Sequence, residues 1–352
     1  MAGKKKIMNR ILYIAIAIGL VMATVSCRHS GNSLTVVEEE FLCDTSLVPS
    51  CHASTIVELP DGELLAAWFG GSSESADDVV IFMSRKPAGG VWSAPQTVAQ
   101  DSLHASWNPV LFRIPDGDLL LFYKTGPYVA AWRGHVKRSS DGGRSWSKPF
   151  DYPEDMFGAI KDKPLRLSGG RLIAPSSDER FGQWRVHFEI SDDCGISWRK
   201  VGPLPAPEGV RVIQPSILQL ADGTLRALCR SSNGFLAYTD SHDGGDSWTD
   251  IQLTDFPHNN SGIDVITTRS GRHLMVCNPV GLSENADTGA RTPLSLMESP
   301  DGLSWHKLLD LETAPGEYSY PAIIESSDGS LHITYTWRRE RIKHVKITSA
   351  NL

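Results

Sequence analysis

The sequence predicts an all-β protein folded as a six-bladed β-propeller, and two interleaved repeats support this prediction. The first repeat is the octad Ser-x-Asp-x-Gly-x-Ser-Trp, found at residues 139–146, 191–198 and 241–248, a period of about 50 residues. The second is a β-hairpin that occurs six times between residues 52 and 329. A fixed period of this length is typical of repeat architectures, in which each copy forms one structural unit.

Each octad has the composition of a tight turn that ends in a core anchor. The Asp can bond the backbone of its own turn, the Gly supplies a positive φ, and the Trp packs into a local core. Two less complete copies occur at residues 84–92 and 299–305. The predicted anchors are Trp92, Trp146, Trp198, Trp248 and Trp305.

Each hairpin is an apolar strand, a tight turn and a second apolar strand. The turns end at Gly62, Gly117, Gly170, Gly223, Gly271 and Gly329, and four of them are Asp-Gly. Asp-Gly between alternating apolar runs is a strong hairpin signal, and a hairpin followed by an octad turn predicts a four-stranded blade. The sixth hairpin has no octad after it, so we expect residues 33–41 to supply the outer strand of the last blade and close the ring.

The N-terminus differs in composition from the rest of the chain. Basic residues at 4–6 and Arg10 precede an apolar run at 11–25, and small residues lead to Cys27. This pattern predicts that residues 1–27 are a signal peptide, and it is similar to a bacterial lipoprotein signal. We therefore expect an exported protein, a cell-envelope lipoprotein in the outer membrane or periplasm of a bacterium, whose one membrane contact is a lipid on Cys27.

The predicted propeller domain, residues 28–352, is acidic. Removing the four basic residues of the signal from the chain's 34 leaves 30 against 41 acidic residues, a net charge of −11. Such a domain is not expected to bind nucleic acid. The chain has no His-x-x-x-His or Cys-x-x-Cys pair, so the sequence predicts no cofactor and no zinc site, while calcium at the octad carboxylates stays open.

Candidate functional side chains stand where the inner hairpin strands begin. Four copies place a polar or aromatic residue directly before Pro, and these residues are Asn108, Lys163, Gln214 and Tyr320. Inner strands begin at one mouth of a propeller channel, so we expect these side chains and His52 to converge there. The alternative is that they only cap strand ends.

Octads of this kind, called Asp boxes, on a six-bladed propeller resemble the sialidases (neuraminidases) and the related bacterial repeat proteins, over about residues 34–347. Sialidases bind the substrate carboxylate with three arginines, because a guanidinium pairs with a carboxylate bidentately. The segment from Gln214 to Arg230 resembles the one that ends in the second arginine, and the segment that begins at Arg291 resembles the one that carries the third.

The nucleophile segment of the family also has a counterpart. Sialidases use a tyrosine with a neighbouring glutamate, and residues 317–321, Glu-Tyr-Ser-Tyr-Pro, resemble that motif with Glu317 at its start. Distance to the Asp-Gly turn favours Tyr320 as the nucleophile, whereas the local Tyr-Ser string favours Tyr318. The family's acidic residue lies in the loop after the first hairpin, where the resemblance implies Asp78 or Glu74.

Two family positions differ in this chain. The first arginine aligns with His52, while the string Phe-Arg-Ile-Pro at 112–115 lies in the middle of a blade-two strand. The glutamate that activates the tyrosine aligns with Gln214, which cannot accept a proton. Histidine is suited to proton transfer near neutral pH, so His52 could instead serve a lyase.

The sequence therefore predicts an exo-acting glycosidase of sialidase type that releases a terminal acidic sugar from a glycan. A channel with Lys163, Arg230 and Arg291 in an acidic protein favours an anionic ligand such as a sialic or uronic acid. The alternatives are a sialidase-fold polysaccharide lyase that uses His52 and a propeller that binds acidic glycans without turnover.

Overall fold

The computed structural model describes residues 34–42, 47–115, 117–284 and 286–348. The predicted signal peptide and Cys27 lie outside these residues. Within them, no helix has the length and apolar character needed to span a membrane.

Among the described residues, twenty-four strands form six antiparallel four-stranded sheets, which are the blades. Strand β1 is Thr35–Phe41. Blade one has β2 Ser50–Glu58, β3 Leu64–Gly71, β4 Val80–Lys86 and β5 Gln96–Ala99; blade two has β6 Ser106–Arg113, β7 Leu119–Thr125, β8 Arg133–Ser139 and β9 Phe150–Asp151; blade three has β10 Leu165–Arg166, β11 Leu172–Asp178, β12 Arg185–Ser191 and β13 Arg199–Val201. Blade four has β14 Val212–Gln219, β15 Leu225–Ser231, β16 Phe235–Ser241 and β17 Gln252–Pro257; blade five has β18 Asp264–Thr267, β19 His273–Cys277, β20 Leu294–Ser299 and β21 His306–Glu312; blade six has β22 Tyr318–Glu325, β23 Leu331–Trp337 and β24 Arg341–Thr348. Two short 3-10 helices are Val129–Ala131 and Arg180–Gly182. The prediction of a six-bladed β-propeller is confirmed.

The octads form the predicted turns. In the first, one Asp141 oxygen accepts hydrogen bonds from the backbone N–H groups of Arg144 and Ser145, at 3.0 and 2.9 Å, and the other accepts one from the Ser145 hydroxyl at 2.6 Å. The tryptophan that follows packs between blades, as Trp248 stacks on Phe188 of β12 with ring centroids 3.7 Å apart. Each octad therefore joins its own turn to the neighbouring blade.

The ring closes as the sequence predicts. Strand β1 pairs antiparallel with β24, from Thr35 opposite Thr348 to Phe41 opposite Lys343, and becomes the outer strand of blade six. The two ends of the described propeller are therefore held in one sheet.

A bulge recurs near the start of four inner strands. Ala53, Asn108, Gln214 and Tyr320 have φ of 54°, 35°, 52° and 50°, and the strand register shifts at each of them. Non-glycine residues seldom adopt this left-handed conformation, and such residues cluster at functional sites. The blade-one equivalent is Ala53, and His52 is the residue directly before it.

Candidate functional site

Three side chains from blades four and six form the centre of the site. The Arg230 guanidinium on β15 donates to the Tyr320 hydroxyl at 2.9 Å and to the Gln214 side-chain oxygen at 3.2 Å. The Gln214 amide also donates to the Tyr320 hydroxyl, at 3.2 Å. The two bulged residues, far apart in sequence, are thus brought together by one arginine.

Arg230 is held by neutral partners. Besides Gln214 and Tyr320, its Nε donates to Asn260 Oδ1 at 2.7 Å, and its guanidinium lies 5.3 Å from the centre of the Trp184 ring. Within the described part of the chain, its hydrogen bonds all go to uncharged groups. The guanidinium is therefore fixed in position without a carboxylate in direct contact.

A second cluster contains two further arginines. Arg291 donates to Glu317 Oε1 at 3.0 Å, and Arg339 donates to the same oxygen at 2.6 Å. Arg339 also pairs with Glu74. Burial lowers the pKa of Arg291, and Arg230 and Arg339 lower it further. The arginines from blades four, five and six therefore lie within electrostatic reach of one another.

Arg339 is a residue of the site that sequence reasoning missed. It lies in the turn between β23 and β24 and has φ of 62°, next to Arg338 with φ of 55°. Two arginines in a tight hairpin turn are the signal that could have drawn attention to this position. The family's first arginine is absent from blade one, and Arg339 brings a third guanidinium to the site from blade six.

His52 lies beneath Tyr320. It is 1% exposed, its ring centre is 4.1 Å from that of Tyr320, and its Nδ1 is 2.8 Å from Thr336 Oγ1. Burial lowers its pKa well below the usual 6.5, and Arg339, Arg291, Arg230 and Lys161 lower it further. The imidazole is therefore neutral at neutral pH.

Lys161, rather than Lys163, lies next to Tyr320. The Lys161 ammonium is 6.0 Å from the centre of the Tyr320 ring and donates to Pro321 O at 2.8 Å. Lys163 pairs with Asp264 Oδ2 at 2.7 Å and lines a cavity with the hairpin-turn residues Ala221 and Gly223. The charge of Lys163 is therefore paired with Asp264 at the start of β18, and no hydrogen bond joins Lys163 to Tyr320 among the described residues.

The remaining predicted residues have other contacts. Tyr318 is 1% exposed and packs in an apolar cluster of blades five and six. Asp78 accepts hydrogen bonds from the Ser72 backbone and hydroxyl, at 3.1 and 3.0 Å, and so holds its own loop. Asn108 is buried at the blade-two bulge, where its carbonyl accepts a hydrogen bond from Lys124 at 3.3 Å.

Comparisons with known proteins agree with this architecture. Residues 62–333 match the family model described as a BNR repeat-like domain. The anhydrosialidase of Macrobdella decora is 24% identical over 263 residues, which cover 66% of this chain and 34% of that protein. The chain thus spans about a third of the length of this relative.

Two solved structures share the fold over most of their length. A protein of unknown function from Dyadobacter fermentans superposes with a TM-score of 0.74 at 17% identity, covering 90% of this chain and 99% of that one. The intramolecular trans-sialidase of Ruminococcus gnavus, in complex with oseltamivir carboxylate, gives 0.68 at 15% identity, covering 87% and 96%. The chain therefore belongs to the BNR repeat-like domain family and has the β-propeller fold of the sialidases.

Proposed function

We propose that this protein is an exo-acting glycosidase of sialidase type that releases a terminal acidic sugar from a glycan. The observation that carries the proposal is the Arg230 guanidinium, which contacts the Tyr320 hydroxyl at 2.9 Å and is hydrogen-bonded to uncharged groups. A ligand carboxylate bound there would be the counter-ion of Arg230 and would lie beside a nucleophilic oxygen.

The roles of the side chains follow from their charges. Arg230, Arg291 and Arg339 hold the carboxylate, because a guanidinium remains charged and pairs with a carboxylate through two parallel hydrogen bonds. Tyr320 attacks the anomeric carbon, since a neutral phenol avoids bringing a carboxylate against an anionic sugar. A carboxyl of the loop after β3, Glu74 or Asp78, protonates the leaving oxygen.

The named activities of two similar proteins support the proposal. The curated relative is an anhydrosialidase, and one similar structure is an intramolecular trans-sialidase. The identities of 24% and 15% are too low to carry a substrate over to this chain. A sialic acid and a uronic acid are therefore the two ligand classes to compare.

A screen of the purified chain tests the proposal. The substrates are methylumbelliferyl sialoside, 4-nitrophenyl uronides and rhamnose-capped uronides, and released monosaccharide is measured by chromatography. We expect a free acidic sugar from at least one substrate and loss of that product in Arg230→Met. Binding of an acidic glycan with no product from any substrate would instead identify a non-catalytic binding propeller.

One observation favours a lyase as the second candidate. His52 Nε2 is buried without a hydrogen-bond partner among the described residues, and the neutral ring lies against Tyr320. A neutral imidazole can abstract a proton beside a uronate carboxylate whose charge the arginines neutralise. The lyase predicts an unsaturated product that absorbs in the ultraviolet and its loss in His52→Gln, whereas the glycosidase predicts a saturated product.

We also propose that the chain is exported and held at the cell envelope by a lipid on Cys27. The support is the order of basic, apolar and small residues in the first 27 positions. Cys27→Ser should move the protein from the membrane fraction to the soluble fraction of the producing bacterium, and an unchanged distribution would contradict the anchor.

A further inference from the structure

The proposed reaction requires a group that takes the proton of Tyr320. As the Tyr320 oxygen bonds to carbon, its proton must leave, and Gln214, whose amide is 3.2 Å from that oxygen, cannot accept it. The following inference rests on the proposed function, because it concerns the proton acceptor of that same reaction.

The carboxyl of Glu179, a partly exposed residue of blade three, lies on the Arg230 side of the site and has one buried oxygen. Glu179 directly follows β11 and precedes the 3-10 helix Arg180–Gly182. Near the end of β11, Ser177 accepts a hydrogen bond from the Gln214 backbone N–H at 3.2 Å, which ties this segment to the bulge. Glu179 Oε1 is buried and has no hydrogen-bond partner among the described residues. An unpaired buried carboxyl oxygen is costly to stability and is a signal of function.

The charges around Glu179 come from three elements. Burial raises the pKa of this carboxyl to about 7; Arg230 on β15 and Lys124 on β7 lower it, and the adjacent Asp178 raises it. Lys124 is itself fully buried, and its ammonium donates to the carbonyls of Ala159, Ile160 and Asn108. Glu179 is thus close enough to Arg230 for their charges to interact, and Arg230 contacts Tyr320 directly.

We propose that Glu179 accepts the Tyr320 proton, the part that the family's glutamate would play at position 214. The bond from the Tyr320 oxygen to the anomeric carbon forms as the glycosidic bond breaks, and the phenolic proton passes to the Glu179 carboxylate. The electron pair of the broken bond remains on the leaving oxygen, which takes a proton from the acid of the loop after β3.

Water then reverses both proton transfers. Its oxygen bonds to the anomeric carbon and displaces the Tyr320 oxygen, which recovers its proton from Glu179, while the loop carboxylate takes the proton that the water loses. The transfer between Tyr320 and Glu179 requires no direct contact, because one water can bridge two polar groups. A base that titrates near the working pH is suited to this step.

Carbon-13 NMR of carboxyl-labelled glutamate tests whether Glu179 exchanges a proton near neutral pH, without any substrate. The resonance that is missing from Glu179→Gln identifies the group. We expect this resonance to titrate in wild type with a midpoint near 7. A midpoint below about 5, in the ordinary range of glutamate, would overturn the inference even if the enzyme is active.

Kinetics then test whether that proton is used. On the aryl glycoside that wild type cleaves, kcat/KM should rise with pH through the Glu179 midpoint, because the base must be deprotonated. Glu179→Gln should lower kcat/KM by about 100-fold or more and abolish the rise of kcat/KM with pH. Glu179→Asp should restore this rise, which is the acidic limb of the pH profile. The exposed Glu208→Gln is the matched control and should leave the profile unchanged.

The two proposals fail in different ways. If wild type turns over a substrate and Glu179→Gln keeps its rate and its pH limb, Glu179 is not the acceptor and the glycosidase proposal stands. If wild type turns over none of the panel, the glycosidase proposal fails, and the proton-acceptor role fails with it whatever the NMR midpoint.

Discussion

At the scale of single residues, the site depends on how Arg230 is oriented. Its three neutral partners, Asn260, Gln214 and the Tyr320 hydroxyl, lie at 2.7, 3.2 and 2.9 Å. A planar group with several donors can satisfy all of them and still present charge to a ligand. Lysine carries the same charge but lacks the planar set of N–H donors, so the effects of charge and of hydrogen-bond geometry can be tested separately.

We predict that Arg230→Lys lowers kcat/KM on the acidic substrate by about 100-fold, because an ammonium cannot replace a bidentate contact. Arg226→Lys is the matched control, since Arg226 lies on the same strand but pairs with Asp240 at 2.6 Å. Steady-state kinetics measures both. A value for Arg230→Lys within threefold of wild type would show that charge alone is sufficient.

The two tyrosines of β22 make a second comparison. We predict that Tyr320→Phe lowers kcat by at least about 100-fold with little change in KM, because it removes only the nucleophilic oxygen. Tyr318→Phe keeps its ring in the apolar cluster and should retain most of the turnover. The opposite ranking of the two kcat values would assign the reaction to Tyr318.

Motifs in the sequence predicted Arg230, Arg291 and Tyr320, which the structure brings together. Arg339 was not predictable in the same way, because it lies in a hairpin turn outside any repeat, and only the fold brings that turn near Glu317 and Glu74. Lys161 was missed for a similar reason, because its partners on other blades are backbone carbonyls, which no side-chain motif records.

At the scale of elements, the connection before β10 acts as a cross-brace in the channel. The buried Lys161 ammonium donates to Asp162 on its own segment, to Ile263 O before β18 and to Pro321 O in β22. This is possible because Gly262 has no side chain, since a Cβ there would lie 2.8 Å from Lys161 Cε. The brace therefore fixes the carbonyl of Pro321, the residue after Tyr320.

Asp162 gives this brace a pH dependence. Burial raises its pKa to about 8 from a usual 3.8, and Asp264 adds to the shift while Lys161 opposes it. The folded state holds this proton more tightly than the unfolded state does. The resulting contribution to the unfolding free energy is complete below the pKa of Asp162 in the unfolded chain, and it is lost as the pH rises toward 8. We predict that the unfolding free energy of wild type, relative to Asp162→Asn, falls between pH 5 and pH 8 by on the order of 1 kcal/mol per pH unit.

Urea denaturation of both proteins at several pH values measures this difference. Asp250→Asn, at an exposed loop, controls for the loss of one carboxylate from the chain. A difference between wild type and Asp162→Asn that does not change with pH would mean that Asp162 stays ionised in the fold.

The elements themselves were predictable because hairpin and octad signals are local. Asp-Gly turns and alternating apolar residues lie within a few positions of one another, and all six hairpins form. The bulge register was less predictable. In three blades the bulged residue precedes a proline. In blade one the bulged residue is Ala53, which precedes Ser54, so no proline marks the position and alignment of the hairpins places His52 there instead.

At the scale of the whole molecule, the ring is closed by a strand from one end of the chain. Main-chain pairing joins β1 to β24, and Lys86 of blade one adds a charged contact, 2.7 Å from Glu38 and also paired with Glu40. A carboxylate oxygen of Glu38, a carboxylate oxygen of Glu40 and a ring nitrogen of His344 lie within 4.8 Å of one another, and the ammonium of Lys86 offsets part of the negative charge. Lys86 thus connects the first blade to the closing strand.

We predict that Lys86→Met lowers the unfolding free energy by about 1 kcal/mol, because Glu38 and Glu40, two residues apart on the closing strand, then repel each other, with partial screening by solvent. Salt should reduce the effect, since the screening length falls to about 3 Å at 1 M. Urea denaturation at low and high salt measures both quantities, with the exposed Lys148→Met as control. A loss that does not change with salt would contradict this explanation by charge repulsion. In that case main-chain pairing of β1 with β24, together with the Lys343–Glu39 pair at 2.8 Å, would hold the ring closed without a charge contribution from Lys86.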